Sequence, residues 1–195
     1  IRLSLVGSEM CIRDRNSSNL NYGLYAGYEA TATLKGGSFT ARGGSVAYGL
    51  YNGGFVGAIL YAENVVAMAE DASSVNAGIE TGRTTTLRGG TFTGRGGSYA
   101  YGIHNDGGGA RLRASGVVAV AEDGLTHSAG FYSEATAQAW IEHSSISGSN
   151  NALRLQSSAL YLAVSQLDGS VNNTSSALNC FQVYDSFYAA HSCNP

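Results

Sequence analysis

"LRGGTFTGRGGSYAYGI", residues 87–103, is the stretch on which the fold turns. Its glycines either cradle a phosphate or punctuate a repeat. A phosphate loop leads into the N-terminus of a helix and usually places a lysine beside it. Here the glycines lead into "SYAYGI", another strand-like run. They also return elsewhere. "TATLKGGSFTARGGSVAYGLYNGG" at 31–54 matches "TTTLRGGTFTGRGGSYAYGIHNDG" at 84–107, displaced by 53 residues. "VVAMAED" at 65–71 matches "VVAVAED" at 117–123, displaced by 52. The stretch reads as repeat scaffold, and nucleotide binding is set aside.

A shorter unit lies inside the long one. Leu24, Leu50, Ile79, Ile103, Phe131 and Leu153 occupy equivalent places at spacings of 26, 29, 24, 28 and 22, and Phe181 is expected to open a seventh copy. A second anchor follows as Leu34, Leu60, Leu87, Leu112, Ile141 and Leu162, and a third five residues later as Phe39, Val65, Phe92, Val117, Ile146 and Leu167. Small residues often sit two positions from an anchor, a period that marks strands. Glycine and asparagine clusters mark the corners. Three short strands per irregular turn predict an all-β, right-handed parallel β-helix, a solenoid of about six to seven coils. A left-handed helix would show strict hexapeptides, and a β-sandwich would not explain equivalent anchors in every unit. One turn with three large anchors gains ~1.5–3 kcal/mol from each. Ordering its backbone costs ~1–2 kcal/mol per residue, so each turn needs its neighbours.

Composition agrees with a scaffold. Charged residues make up 13% of the chain, there are 27 glycines, and the one proline is Pro195. No basic block offers nucleic acid an electrostatic footprint. No apolar run approaches the ~20 residues of a membrane helix. "IRLSLVGSEMCIRDR", residues 1–15, lacks the order of a secretion signal and resembles translated sequencing-library adapter. It is read as a non-native tail, and residues 16–195 as one β-helix domain truncated at its N-terminus. Without the tail the chain keeps 8 basic and 12 acidic residues, net −4, and loses Cys11. The uncapped N-terminal end is expected to self-associate, since open strand edges pair with other chains.

The coil pattern resembles the pectate-lyase-like superfamily over residues 20–193, and more closely the secreted bacterial β-helix repeat proteins of unassigned role. The ending "NCFQVYDSFYAAHSC" resembles the two-cysteine ending of some of these. Cys180 and Cys193, thirteen apart at the chain end, are expected to form a disulfide, which implies an exported, oxidising setting. The polygalacturonase, pectate-lyase and pectin-methylesterase signatures of the superfamily are absent from the sequence. The resemblance therefore implies fold more than activity.

Glu70–Asp71 and Glu122–Asp123 occupy matching loops two coils apart. They read first as a charge ladder alternating with Arg42 and Arg95, second as a calcium site, third as a catalytic acid pair. His104, His127, His143 and His191 show no metal-ligand spacing and read as surface residues. Ser144, Ser145 and Ser147 lack a nucleophile-elbow context. No catalytic residue and no cofactor is assigned. The expected function is a non-catalytic extracellular β-helix segment, secreted or at the cell surface. It would act as a spacer or as a scaffold binding polysaccharide or cell-surface glycan. The alternative is a polysaccharide lyase or glycoside hydrolase. The expected binding surface is the outside of the second strands: Arg111, Trp140 and Tyr161 in one outward column, Arg113 and Glu142 in the next, and Tyr61 on the same face. A further outward column, Tyr25, Tyr51, Glu80, His104 and Tyr132, follows the first strands.

Overall fold

The computed structural model describes residues 2–6, 19–27, 29–53, 57–187 and 189–190. The described residues form strands and turns, with no helix among them. β1 (Arg2–Val6) precedes the repeats. The first turn is β2 (Leu20–Ala26), β3 (Thr31–Lys35) and β4 (Ser38–Arg42), the second β5 (Val46–Asn52), β6 (Ile59–Glu63) and β7 (Val66–Glu70). The third is β8 (Val75–Thr81), β9 (Thr84–Arg88) and β10 (Thr91–Arg95), the fourth β11 (Tyr99–Asn105), β12 (Arg111–Ser115) and β13 (Val118–Glu122). The fifth is β14 (His127–Ser133), β15 (Gln138–Glu142) and the start of β16 (Ser145–Gln156). The strands of successive turns pair in parallel, so the chain is a parallel β-solenoid.

Regularity ends at β16. That strand runs through a corner and pairs with both β13 and β14. It thereby joins the first-strand and third-strand stacks into one twelve-stranded sheet, while the second strands form a sheet of eight. β17 (Ala159–Ala163), β18 (Gln166–Thr174), β19 (Ala177–Phe181) and β20 (Tyr184–Asp185) continue the stacking, with β18 again spanning a corner. About five regular turns result where six to seven were expected. Phe181 does not open a further copy. Val171 stacks on Leu153 instead, and Phe181 pairs with Ala163, 64% exposed. Arg2–Val6, expected outside the fold, lies parallel to Thr31–Lys35 as the end strand of the second-strand sheet.

The first-strand anchors stack as the sequence implies, Leu24 on Leu50 on Ile79 on Ile103 on Phe131 on Leu153. The other two anchor series stack like on like only at their last pairs, Ile141 on Leu162 and Ile146 on Leu167. In the second strands Ala32, Leu60, Thr85, Leu112 and Ala139 form one inward column and Leu34, Ala62, Leu87, Ala114 and Ile141 the other. In the third strands Phe39, Ala67, Phe92 and Ala119 alternate. Val65 and Val117 are buried two positions earlier, and the residues after them, Val66 and Val118, donate to Gly37 O and Gly90 O. In these two walls large residues stack on small ones through the regular turns. Two turns therefore make one packing unit, which explains the repeat of 52–53 residues in the sequence.

A polar ladder runs inside the same wall. Asn52 donates to Thr85 Oγ1 at 2.8 Å, Thr81 to Asn105 Oδ1 at 2.8 Å, and Asn105 to Ser133 Oγ at 3.2 Å. Each of these donors gains a partner one coil away, which fixes the register that apolar packing alone would leave looser.

Candidate functional site on the first-strand face

Two outward faces carry chemistry. The first is the outside of β2, β5, β8, β11 and β14. Glycine occupies the fourth position of each of these strands, as Gly23, Gly49, Gly78, Gly102 and Gly130. A Cβ on Gly102 would stand 2.6 Å from the backbone nitrogen of Val120 in the opposite wall, and the other four are as tightly placed. The glycines let the two walls of the twelve-stranded sheet touch backbone to backbone. The strand bends there, and side chains three apart, which strict alternation would send to opposite faces, come together outside. Tyr22 meets Tyr25 at 5.3 Å between ring centres, Tyr48 meets Tyr51 at 5.3 Å, and Tyr101 meets His104 at 5.0 Å. The face is concave, so outward residues such as Tyr101 and Tyr132 are buried against one another.

Charge collects in the middle of this cradle. The Tyr25, Tyr51, Glu80, His104, Tyr132 column forms as expected. His104 is not the surface residue anticipated: it is only 8% exposed. Its imidazole stacks on Tyr132 at 5.0 Å and 8°. Both ring nitrogens face carboxylates, Nδ1 at 3.2 Å from Glu80 and Nε2 at 3.0 Å from Glu134. Tyr132 donates to the second oxygen of Glu134 at 2.6 Å. Arg154 lies over the Tyr132 ring at 5.2 Å. Burial disfavours the imidazolium, but hydrogen bonds from Glu134 and Glu80 outweigh it and push His104 up to about 9. Glu134 is held below the usual carboxylate range by its bond with His104. Burial raises the Tyr48 and Tyr132 phenols strongly and takes Tyr51 and Tyr101 up to about 12, so these hydroxyls stay protonated. Asp106 and Glu134 lie beyond the strand ends, where no periodicity could connect them to His104.

The second face is the outside of β3, β6, β9, β12, β15, β17 and β19. Its central column is Thr33, Tyr61, Thr86, Arg113, Trp140, Tyr161 and Asn179. Trp140 and Tyr161 are together, as expected, but Arg111 is not with them. It pairs with Gln138, and Arg113 takes its place. Alternation of large and small core residues shifts β12 by two positions from the size-based alignment. Glu142 lies in the neighbouring column opposite Ser115. Arg113 lies over Trp140 at 5.8 Å, and Tyr161 stacks on it at 6.2 Å and 4°. The register puts these neighbours on opposite sides of the indole, so Trp140 presents mainly its edge to solvent. Tyr61, Trp140 and Tyr161 are 44%, 37% and 53% exposed. The face carries Lys35, Arg88, Arg111 and Arg113, all exposed, against Glu63 and Glu142, a net of +2 on a chain of net −3.

The remaining sequence candidates resolve into structure. Glu70 pairs with Arg42, and Glu122 with Arg95 at 2.6 Å, along the register Arg42, Glu70, Arg95, Glu122. This is the alternating ladder, a set of exposed pairs of small energetic worth. Asp71 and Asp123 follow in left-handed conformations at the turns, φ 62° and 58°. Ser144 is a corner residue whose hydroxyl accepts from Val117 N and donates to Glu142 O. His127 packs on Tyr99, while Cys193 and His191 lie outside the described residues. No family model matches the chain, and no curated protein or solved structure matches it either.

Proposed function

We propose that the protein is a secreted or cell-surface, non-catalytic β-helix segment that holds acidic polysaccharide against the outside of its second strands. The observation that carries this reading is the net positive, aromatic-studded column on an otherwise acidic chain. Arg113 and Arg111 supply bidentate donors for carboxylates, and the edges of Trp140 and Tyr161 supply flat apolar borders. Winding is right-handed, the hand that twisted strands favour in parallel crossovers, as in the pectate-lyase-like class. Export is supported by Cys180, which is disulfide-bonded and which we assign to Cys193. Among the described residues β2 and β4 end the twelve-stranded sheet, and a second copy would add at that end of the stack.

Uronate oligosaccharides are expected to perturb Trp140 fluorescence, while neutral oligosaccharides of equal length do so weakly. Arg113→Ala and Trp140→Ala should each weaken binding roughly tenfold, since each removes ~1–2 kcal/mol of charged or aromatic contact. Raising salt from 50 to 200 mM, which shortens the Debye length to below ~10 Å, should weaken it further. Binding that ignores salt and both substitutions would refute this reading. The second reading, a lyase or hydrolase, is favoured by the Glu80, His104 and Glu134 cluster alone. Unsaturated or new reducing ends appearing in the same incubations would establish it.

A further inference from the structure

We propose that His104, Asp106 and Glu134 form a binding site for a divalent transition metal, with Zn2+ as the reference ion. The inference does not depend on the glycan reading, since the site lies on the first-strand face. One ligand atom from each of the three residues lies within 4.8 Å of the others. Tetrahedral zinc, with bonds of ~2.0–2.2 Å, sets its ligands ~3.4 Å apart. Asp106 opens the turn "DGGG" at 106–109, in which Gly107 and Gly109 take positive φ, so its carboxylate stands where the backbone can adjust.

The supporting shell is already assembled. A metal-bound histidine generally donates its other ring nitrogen to a carboxylate, which fixes the tautomer and aims the free nitrogen. Glu80 holds Nδ1 of His104 in this way and is itself buried. Nε2 is thereby aimed at Glu134, whose other oxygen is held by Tyr132. Rings on two sides fix the imidazole plane, Tyr132 at 5.0 Å and Tyr101 at 5.0 Å. The Glu134 side chain is 30% exposed, which leaves a path for an ion. One imidazole and two carboxylates make a nitrogen–oxygen donor set that suits Zn2+, Co2+ or Mn2+ and disfavours soft Cu(I).

The test uses the whole chain without added histidines, stripped with chelator. Zn2+ is titrated by calorimetry and Co2+ by visible absorption. One equivalent of each should bind, and Co2+ should show ligand-field bands of a low-coordinate site. Glu134→Gln and His104→Asn should each lower Zn2+ affinity at least ~100-fold. Glu80→Gln, a positioning residue, should lower it ~10–100-fold with the stoichiometry kept. Glu122→Gln, in the exposed ladder, should change nothing. If His104→Asn fails to fold, Glu134→Gln and Glu80→Gln carry the test. No saturable equivalent in the parent protein, or parental affinity in both of these variants, overturns the proposal.

Discussion

Gly102→Val is expected to lower stability by about 3 kcal/mol or more, because overpacking is most severe where the obstruction is backbone. The new Cβ would stand 2.6 Å from Gly130 O, 2.6 Å from Val120 N and 2.9 Å from Ala119 C. None of these atoms can rotate away, and moving them parts the two walls of the twelve-stranded sheet. Gly96→Val is the informative comparison, because a Cβ there meets nothing within 4 Å, though its φ of 74° keeps some strain. Thermal and urea unfolding of both variants check this. Equal loss in both would show that conformational strain, not wall contact, sets the requirement for glycine.

Loss of the His104 charge is the second large effect. Its folded-state value is raised, from the usual 6.5 to about 9. The stabilisation is therefore complete below about pH 6.5 and disappears as pH rises through about 9. A displacement of this size corresponds to about 3 kcal/mol. In chelator-treated buffer the stability gap between the parent and His104→Gln should shrink by about that amount between pH 6 and pH 10. Breaking a buried charged pair by removing one partner leaves the other uncompensated, so the gap at pH 6 should be large. A gap that stays flat over this range would mean that His104 folds as the neutral imidazole.

The solenoid was legible because every turn repeats a strand–corner–strand pattern, and the first-strand anchors could be aligned by eye. The register of the other two walls was not. Aligning Leu34 with Leu60, or Phe39 with Val65, assumes that like stacks on like, whereas the structure places Leu34 on Ala62 and Phe39 on Ala67. The same misalignment set Arg111 beside Trp140 when Arg113 belongs there. The charge ladder survived because Arg42, Glu70, Arg95 and Glu122 all end their strands. The buried cluster was half legible. Alternation placed Glu80 and His104 in one outward column, but a period of two cannot foresee that Gly102 folds Tyr101 onto the same face. Asp106 and Glu134 lie past the strand ends, where only three-dimensional proximity joins them to His104.

Register is the claim on which both faces depend, and paired cysteines measure it most directly. Thr86 and Arg113 are partners across β9 and β12, both outside. Adjacent parallel strands set such partners ~4.8 Å apart, within the ~4.4–6.8 Å that a disulfide spans. The size-based alignment would instead set Thr86 beside Arg111. In the register of the structure that pair is two residues off, roughly 8 Å apart by strand rise and spacing and beyond the ~7 Å limit. Thr86→Cys with Arg113→Cys should therefore close an intramolecular disulfide under mild oxidation, found by peptide mapping, and Thr86→Cys with Arg111→Cys should leave both thiols free. A bond in the second pair and none in the first would contradict the register, and with it the column of Tyr61, Arg113, Trp140 and Tyr161.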